Sequence, residues 1–164
     1  MIRTNDERSQ ETMSGRTLEI LLVEDDLVDL QMTRQELEKD GTIRIEVARD
    51  GEEALDFLFC RGAYASRSLD DPPKLVLLDL KLPKIDGLQV LREIKSRPET
   101  RAIPVVALTS SREERDLVEG YRLGVNSYIQ KPVDFEKFRS AIRALGIYWT
   151  TINQPPPRKA FAPQ

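Results

Sequence analysis

The chain contains no histidine. That absence removes every catalytic arrangement built on a Ser-His-Asp or Cys-His pairing. Cysteine is nearly absent as well. A single residue, Cys60, leaves nothing to pair within the chain, which fits a reducing compartment. Cys60 lies in the apolar stretch Leu55-Asp56-Phe57-Leu58-Phe59-Cys60, where a small buried hydrophobe is expected. No apolar run approaches the roughly 20 residues that a membrane-spanning helix needs. The polar stretch Met1 to Arg16 has no apolar core of a secretory leader. These features predict a cytoplasmic protein with no membrane contact. The net charge of −3 gives no basic surface for nucleic acid. No internal repeat is visible.

What is present is an ordinary globular composition, 40% apolar and 32% charged over 164 residues, enough for one domain with a substantial core. Short β-rich runs alternate with helix-like segments. Predicted strands are Glu19 to Val23, Ile43 to Val47, Lys74 to Leu78, Pro104 to Leu108 and Ser127 to Ile129. The first, third and fourth are almost wholly apolar, as strands covered on both faces should be. The second alternates and suits an edge. Each predicted helix opens on a capping residue: Asp26, Asp50 with Glu53, Asp86 with Gln89, Ser111 with Glu114, and Asp134. In the fifth helix Phe135, Phe138, Ile142 and Leu145 mark a buried stripe, and Gly146 is expected to end it. Five βα units in strict alternation imply an α/β protein with a parallel sheet covered on both faces. Right-handed crossovers favour the flavodoxin-like (βα)5 order 2-1-3-4-5. Residues 1–17 form a polar, disordered N-terminal segment in this reading. Residues 18–147 form the domain, and residues 148–164 an arm and a proline-rich tail, mobile and non-helical from Asn153 onward. Arg61 to Pro73 is a long polar loop.

The chemistry gathers at strand ends. Glu24-Asp25-Asp26 follows the first strand, and acids there could do no more than cap the first helix. Asp79 ends the third strand and could be a turn residue. Parallel strands all end at one edge, however, and strands one and three are neighbours in the proposed order. Glu24, Asp25 and Asp79 therefore converge on one crevice. Three carboxylates repel one another unless a cation binds or a proton is taken up. Their hard oxygens suit Mg2+, with Mn2+ as a possible substitute. Thr109 ends the fourth strand and Lys131, before Pro132, follows the fifth. A hydroxyl and an ammonium beside a metal-carboxylate cluster are what a phosphoryl group requires.

These residues, in this order, resemble the receiver domains of bacterial response regulators over about residues 18 to 147. The resemblance implies that Glu24 and Asp25 are the acidic pair and that Asp79 accepts the phosphoryl group. It makes Thr109 the switch hydroxyl, Tyr128 the switch aromatic and Lys131 the conserved lysine of the family. Asp86-Gly87 also matches, and Glu24 replaces the more frequent aspartate. Metal ligation by Glu24, Asp25, Asp79 and the backbone carbonyl of Lys81 follows from the resemblance. So does a phosphohistidine donor on a partner histidine kinase, since the chain has no histidine of its own. Lys81 and Ser111 are expected to flank the path of the water that hydrolyses the acyl phosphate. The polar insert ending in Asp71-Pro72-Pro73, the run Asn126 to Phe135, and Leu145-Gly146-Ile147-Tyr148-Trp149 before a proline-rich tail resemble the regulators of bacterial and cyanobacterial phytochromes. A bacteriophytochrome kinase is then the expected partner. Too few residues follow the fifth helix for an output module, so signalling is expected through the fourth helix, fifth strand and fifth helix. Tyr148 and Trp149 are expected to anchor a homodimer on that face, although they could fold back on their own domain. A haloacid-dehalogenase-type phosphatase would need an acid at Lys81. A flavin carrier would need a phosphate cradle where Glu24-Asp25-Asp26 stands.

Overall fold

In the computed structural model, residues 18–131 and 134–161 are described. The expected N-terminal segment 1–17 lies outside them, as does Pro132. Five strands, β1 (Ile20–Val23), β2 (Ile45–Ala48), β3 (Leu75–Leu78), β4 (Val105–Thr109) and β5 (Ser127–Gln130), alternate with five helices. The helices are α1 (Leu27–Glu38), α2 (Gly51–Leu58), α3 (Gly87–Ser96), α4 (Glu114–Leu123) and α5 (Phe135–Ile147). All pairings are parallel in the order β2-β1-β3-β4-β5, with Ile20 opposite both Ile45 and Leu75.

The apolar alternation decides the layers. In β1, Leu21 and Val23 face a core shared with Phe57, Leu58, Val90, Leu91 and Ile94, which places α2 and α3 on one side. Ile20 and Leu22 face Leu30, Leu37, Phe138, Ile142 and Leu145, which places α1 and α5 on the other. β1, β3 and β4 are buried throughout, whereas β2 is only partly covered, as an edge strand is. Full burial of a Leu or Ile side chain contributes roughly 1.5–3 kcal/mol.

Asp26, Asp50 and Asp86 cap their helices through Asp29, Glu53 and Gln89 backbone N–H groups, and Asp134 caps α5 through those of Glu136 and Lys137. The fourth helix departs from expectation. Its cap is Glu113, two residues on from Ser111, whose Oγ accepts the Glu113 N–H at 3.4 Å and whose hydroxyl donates to Asp116 inside α4. β2 starts two residues later than the alternation suggested.

The C-terminal end corrects three more expectations. Phe135 is 61% exposed and not part of the α5 stripe, which consists of Phe138, Ile142 and Leu145. Gly146 does not stop the helix. It is buried against α1, where a Cβ would stand 2.7 Å from Leu37 Cδ2. The chain continues as a π turn over Tyr148–Ile152, then crosses through Pro155–Pro157 into a 3-10 turn at Arg158–Phe161. Phe161 is buried in the core on the α2–α3 side, so the tail is docked at that residue, and residues 162–164 lie outside the described ones. Cys60 is only half-buried. It takes the left-handed conformation (φ 55°) just after α2, within 3.9 Å of an Arg67 nitrogen. The insert is anchored as well: the Tyr64 hydroxyl donates to Glu53, and the Arg67 guanidinium stacks over Phe57.

Candidate functional site

The C-terminal ends of β1, β3, β4 and β5 meet at one edge, because the register ties each to its neighbour. Asp79 N–H donates to Val23 O at 3.0 Å, which sets Asp79 beside Glu24, and Lys131 N–H donates to Thr109 O at 2.8 Å. Glu24, Asp25 and Asp79 bring carboxylate oxygens within 4.8 Å of one another. Glu24 and Asp79 are buried, and Asp25 is exposed. The Lys131 ammonium lies among them, donating to Glu24, to Asp29 Oδ2 at 2.7 Å and to Asp79 Oδ2 at 3.1 Å. The other oxygen of Asp79 accepts the Lys81 N–H at 3.0 Å.

Burial pushes the Glu24 carboxyl up to about 8, and the neighbouring Asp79 adds to the shift against the pull of Lys131. Burial would depress Lys131, but its bonds to Asp29 and Glu24 outweigh this and hold it above the ordinary lysine range. Glu24 Oε2 is buried without a hydrogen-bond partner. A buried carboxylate oxygen without a donor is costly, and a cation would relieve it. The donor set is all oxygen and three carboxylates strong, which fits a hard divalent ion.

Asp29 is the site residue that sequence reasoning missed. It stands in the first turn of α1, beside the buried Leu30, and nothing in the sequence pattern marks it as facing Lys131. Thr109 is fully buried and its Oγ1 accepts the Ser111 N–H at 3.2 Å. Tyr128 is half-buried, its ring packed beside Gly120 of α4. Its hydroxyl is buried and lacks a well-formed hydrogen bond. Ser111 Oγ donates to Asp116 Oδ2 at 2.5 Å, and Lys81 Nζ lies 3.6 Å from the same oxygen. Tyr148 and Trp149 are far along the chain from this edge and stack edge-to-face, centroids 5.2 Å apart. Trp149 packs on the α1–α5 core, while Tyr148 is 46% exposed.

A parallel (βα)5 sheet in the order 2-1-3-4-5, with an acidic trio, a hydroxyl and a lysine at its strand ends, has the architecture of a receiver domain. The chain belongs to the response regulator receiver domain family, whose model matches residues 20–143. Within that family it is 44% identical over 138 residues to the probable methanogenesis regulatory protein FilR2 of Methanothrix harundinacea, covering 84% of this chain and 86% of that one. It is 41% identical to the response regulator Rcp1 of Synechocystis sp., covering 79% and 87%. A Mn(2+)-bound structure of Rcp1 superposes with a TM-score of 0.76 at 39% identity over 84% of this chain and 98% of that one. The phosphorylated cyanobacterial phytochrome response regulator RcpA superposes with a TM-score of 0.80 at 37% identity, covering 86% of this chain and 99% of that chain.

Proposed function

We propose that this receiver accepts a phosphoryl group on Asp79 from a phosphohistidine of a partner kinase and signals through its own surface. The observation that carries this reading is the Lys131 ammonium bridging Glu24, Asp29 and Asp79 at the strand ends. An Asp79 carboxylate oxygen attacks phosphorus, the phosphorus–nitrogen bond breaks, and the imidazole leaves. A divalent cation, Mg2+ with Mn2+ as substitute, held by Asp25, Asp79 and the Lys81 carbonyl with Glu24 acting through water, would neutralise charge building on the phosphoryl oxygens. Lys131 pairs with those oxygens. Its present bonds to three acids keep it charged and aimed at Asp79. The chain is a phosphoacceptor, catalysing at most its own phosphorylation and dephosphorylation.

Thr109 then turns to donate to a phosphoryl oxygen and gives up its bond from Ser111. Tyr128 moves into the space released and reshapes the α4-β5-α5 face, a two-state element biased by new hydrogen bonds. The similarity to RcpA, a cyanobacterial phytochrome response regulator, supports a phytochrome-type kinase as the donor, in the cytoplasm. The similarity to FilR2 favours a second reading in which the kinase senses something other than light and the chemistry at Asp79 is the same. Ile147, Tyr148 and Ile152, all exposed, support a homodimer through the arm.

Acetyl phosphate and Mg2+ test the chemistry without the kinase. Intact mass is expected to show one phosphoryl adduct on the wild type, none on Asp79→Asn and none after chelation. An equal adduct on Asp79→Asn would refute the assignment.

A further inference from the structure

Asp116 is a carboxylate in the first turn of α4 that the proposed chemistry does not use, yet it is 8% exposed. A buried carboxylate persists only where partners and dipoles hold its charge. The α4 N-terminus supplies part of that. The Ser111 hydroxyl at 2.5 Å and the Lys81 ammonium at 3.6 Å supply the rest, and both converge on Oδ2. Each of these partners has a second attachment in the site. The Ser111 N–H donates to Thr109 Oγ1, and the Lys81 N–H donates to Asp79 Oδ1. One carboxylate is therefore linked, through a single residue each way, to the acceptor aspartate and to the switch hydroxyl. It ties the loop after β3 to the loop after β4. Beside it runs a cleft of about 520 Å3, lined in part by Lys81, Asp86, Arg115 and Glu119, which gives the Lys81 side chain room to swing.

We propose that Asp116 is a positioning residue that stands in for the phosphoryl group in the resting state, holding Lys81 away from Asp79 and, through Ser111, holding Thr109 in its unswitched position. The proposal rests on Asp79 being the phosphoacceptor. A tetrahedral anion arriving on Asp79 competes with Asp116 for the Lys81 ammonium. It also draws the Thr109 hydroxyl away from the Ser111 N–H. Both movements must loosen what Asp116 holds, so Asp116 opposes the phosphorylated arrangement and lowers the site's affinity for its phosphoryl group.

Beryllofluoride, a tetrahedral phosphoryl mimic, tests this on the full chain at saturating Mg2+ by calorimetric titration. Asp116→Asn keeps the shape and can still accept from Ser111, but removes the charge. It is expected to bind beryllofluoride up to about fivefold more tightly, the range of one partly exposed ion pair. In a Lys81→Met background the same substitution is expected to bring no gain, because the contest for the ammonium is gone. Ser111→Ala, which cuts the other link while leaving the residues of α4 and the Ser111 N–H in place, is expected to tighten binding too. Unchanged or weaker binding in Asp116→Asn or in Ser111→Ala overturns the proposal. So does an equal gain with and without Lys81, since that is simple relief of charge repulsion. A wild type that binds no beryllofluoride, or an Asp79→Asn that binds it as tightly, overturns the phosphoacceptor reading itself and the inference with it.

Discussion

Glu24 and Asp79 share a buried corner with one ammonium, and their charge balance should govern the stability of the metal-free protein. Glu24 titrates near 8 in the fold, against 4.5 for an ordinary glutamate, first because it is buried and then because Asp79 adjoins it. The folded state therefore retains a proton that the unfolded chain releases. The stability this contributes is fully present below about pH 4.5 and is lost as pH rises to about 8. In chelator, the urea midpoint is expected to fall between pH 5 and pH 8, and Glu24→Gln should flatten that slope. A midpoint that rises through this window would contradict the proton assignment. Asp79→Asn removes one of the crowded charges. It is expected to stabilise the metal-free protein by about 1 kcal/mol, and saturating Mg2+ should shrink the gap by stabilising the wild type through binding. Thermal melts of both proteins with and without Mg2+ check this. The crowding itself was legible in the sequence, because strand order alone brings residues 24, 25 and 79 together. Asp29 was not, because its role depends on how α1 is rotated about its axis. That rotation is fixed by Leu30 and Leu37 packing on the sheet.

Two Asp-Gly pairs fix how the loop after β3 sits against the elements beside it. Asp50 and Asp86 cap α2 and α3, and the glycine after each lies where a side chain has no room. A Cβ on Gly87 would stand 2.4 Å from the Asp79 carbonyl oxygen and 2.5 Å from Leu80 Cα. One on Gly51 would stand 2.0 Å from the Ile85 carbonyl oxygen. Backbone blocks the way in both cases, so no side chain can rotate aside. Gly87→Ala is expected to cost about 2–3 kcal/mol in urea unfolding and to slow phosphorylation, because relief must come from moving Asp79 or Leu80. A variant as stable and as readily phosphorylated as the wild type would show that the loop yields freely. At this scale the sequence carried most of the fold. Apolar runs located β1, β3 and β4, and aspartates located four of five helix starts. It failed where a tertiary partner outbid the local one. Ser111 has the spacing of a capping box, yet its hydroxyl goes to Asp116. Gly146 has the look of a helix stop, yet its missing side chain serves the contact with Leu37.

Over the whole molecule, the C-terminal arm divides its apolar residues between two surfaces. Trp149 turns inward to the α1–α5 core, and Phe161 reaches the opposite core beyond the proline run. Ile147, Tyr148 and Ile152 remain exposed, at 51%, 46% and 60%. Sequence reasoning treated Tyr148 and Trp149 as one anchor. Adjacent residues on a helical turn point in different directions, and only packing decides which is covered. The two should therefore separate by experiment. Trp149→Ala leaves a gap on the protein's own core and is expected to lower monomer stability by about 2 kcal/mol, less than a fully buried aromatic would cost. Tyr148→Ala, removing a half-exposed ring that stacks on Trp149, should lower the melting temperature by less than Trp149→Ala does. If the arm holds a two-fold dimer, Tyr148→Ala combined with Ile152→Ala should weaken association at least tenfold, since exposed aromatic anchors dominate such contacts. Sedimentation equilibrium at micromolar concentration, with and without beryllofluoride, measures that loss directly. A wild type that is monomeric in both conditions would assign the exposed arm to some other contact, and unchanged association in the double variant would move the dimer interface elsewhere on the surface.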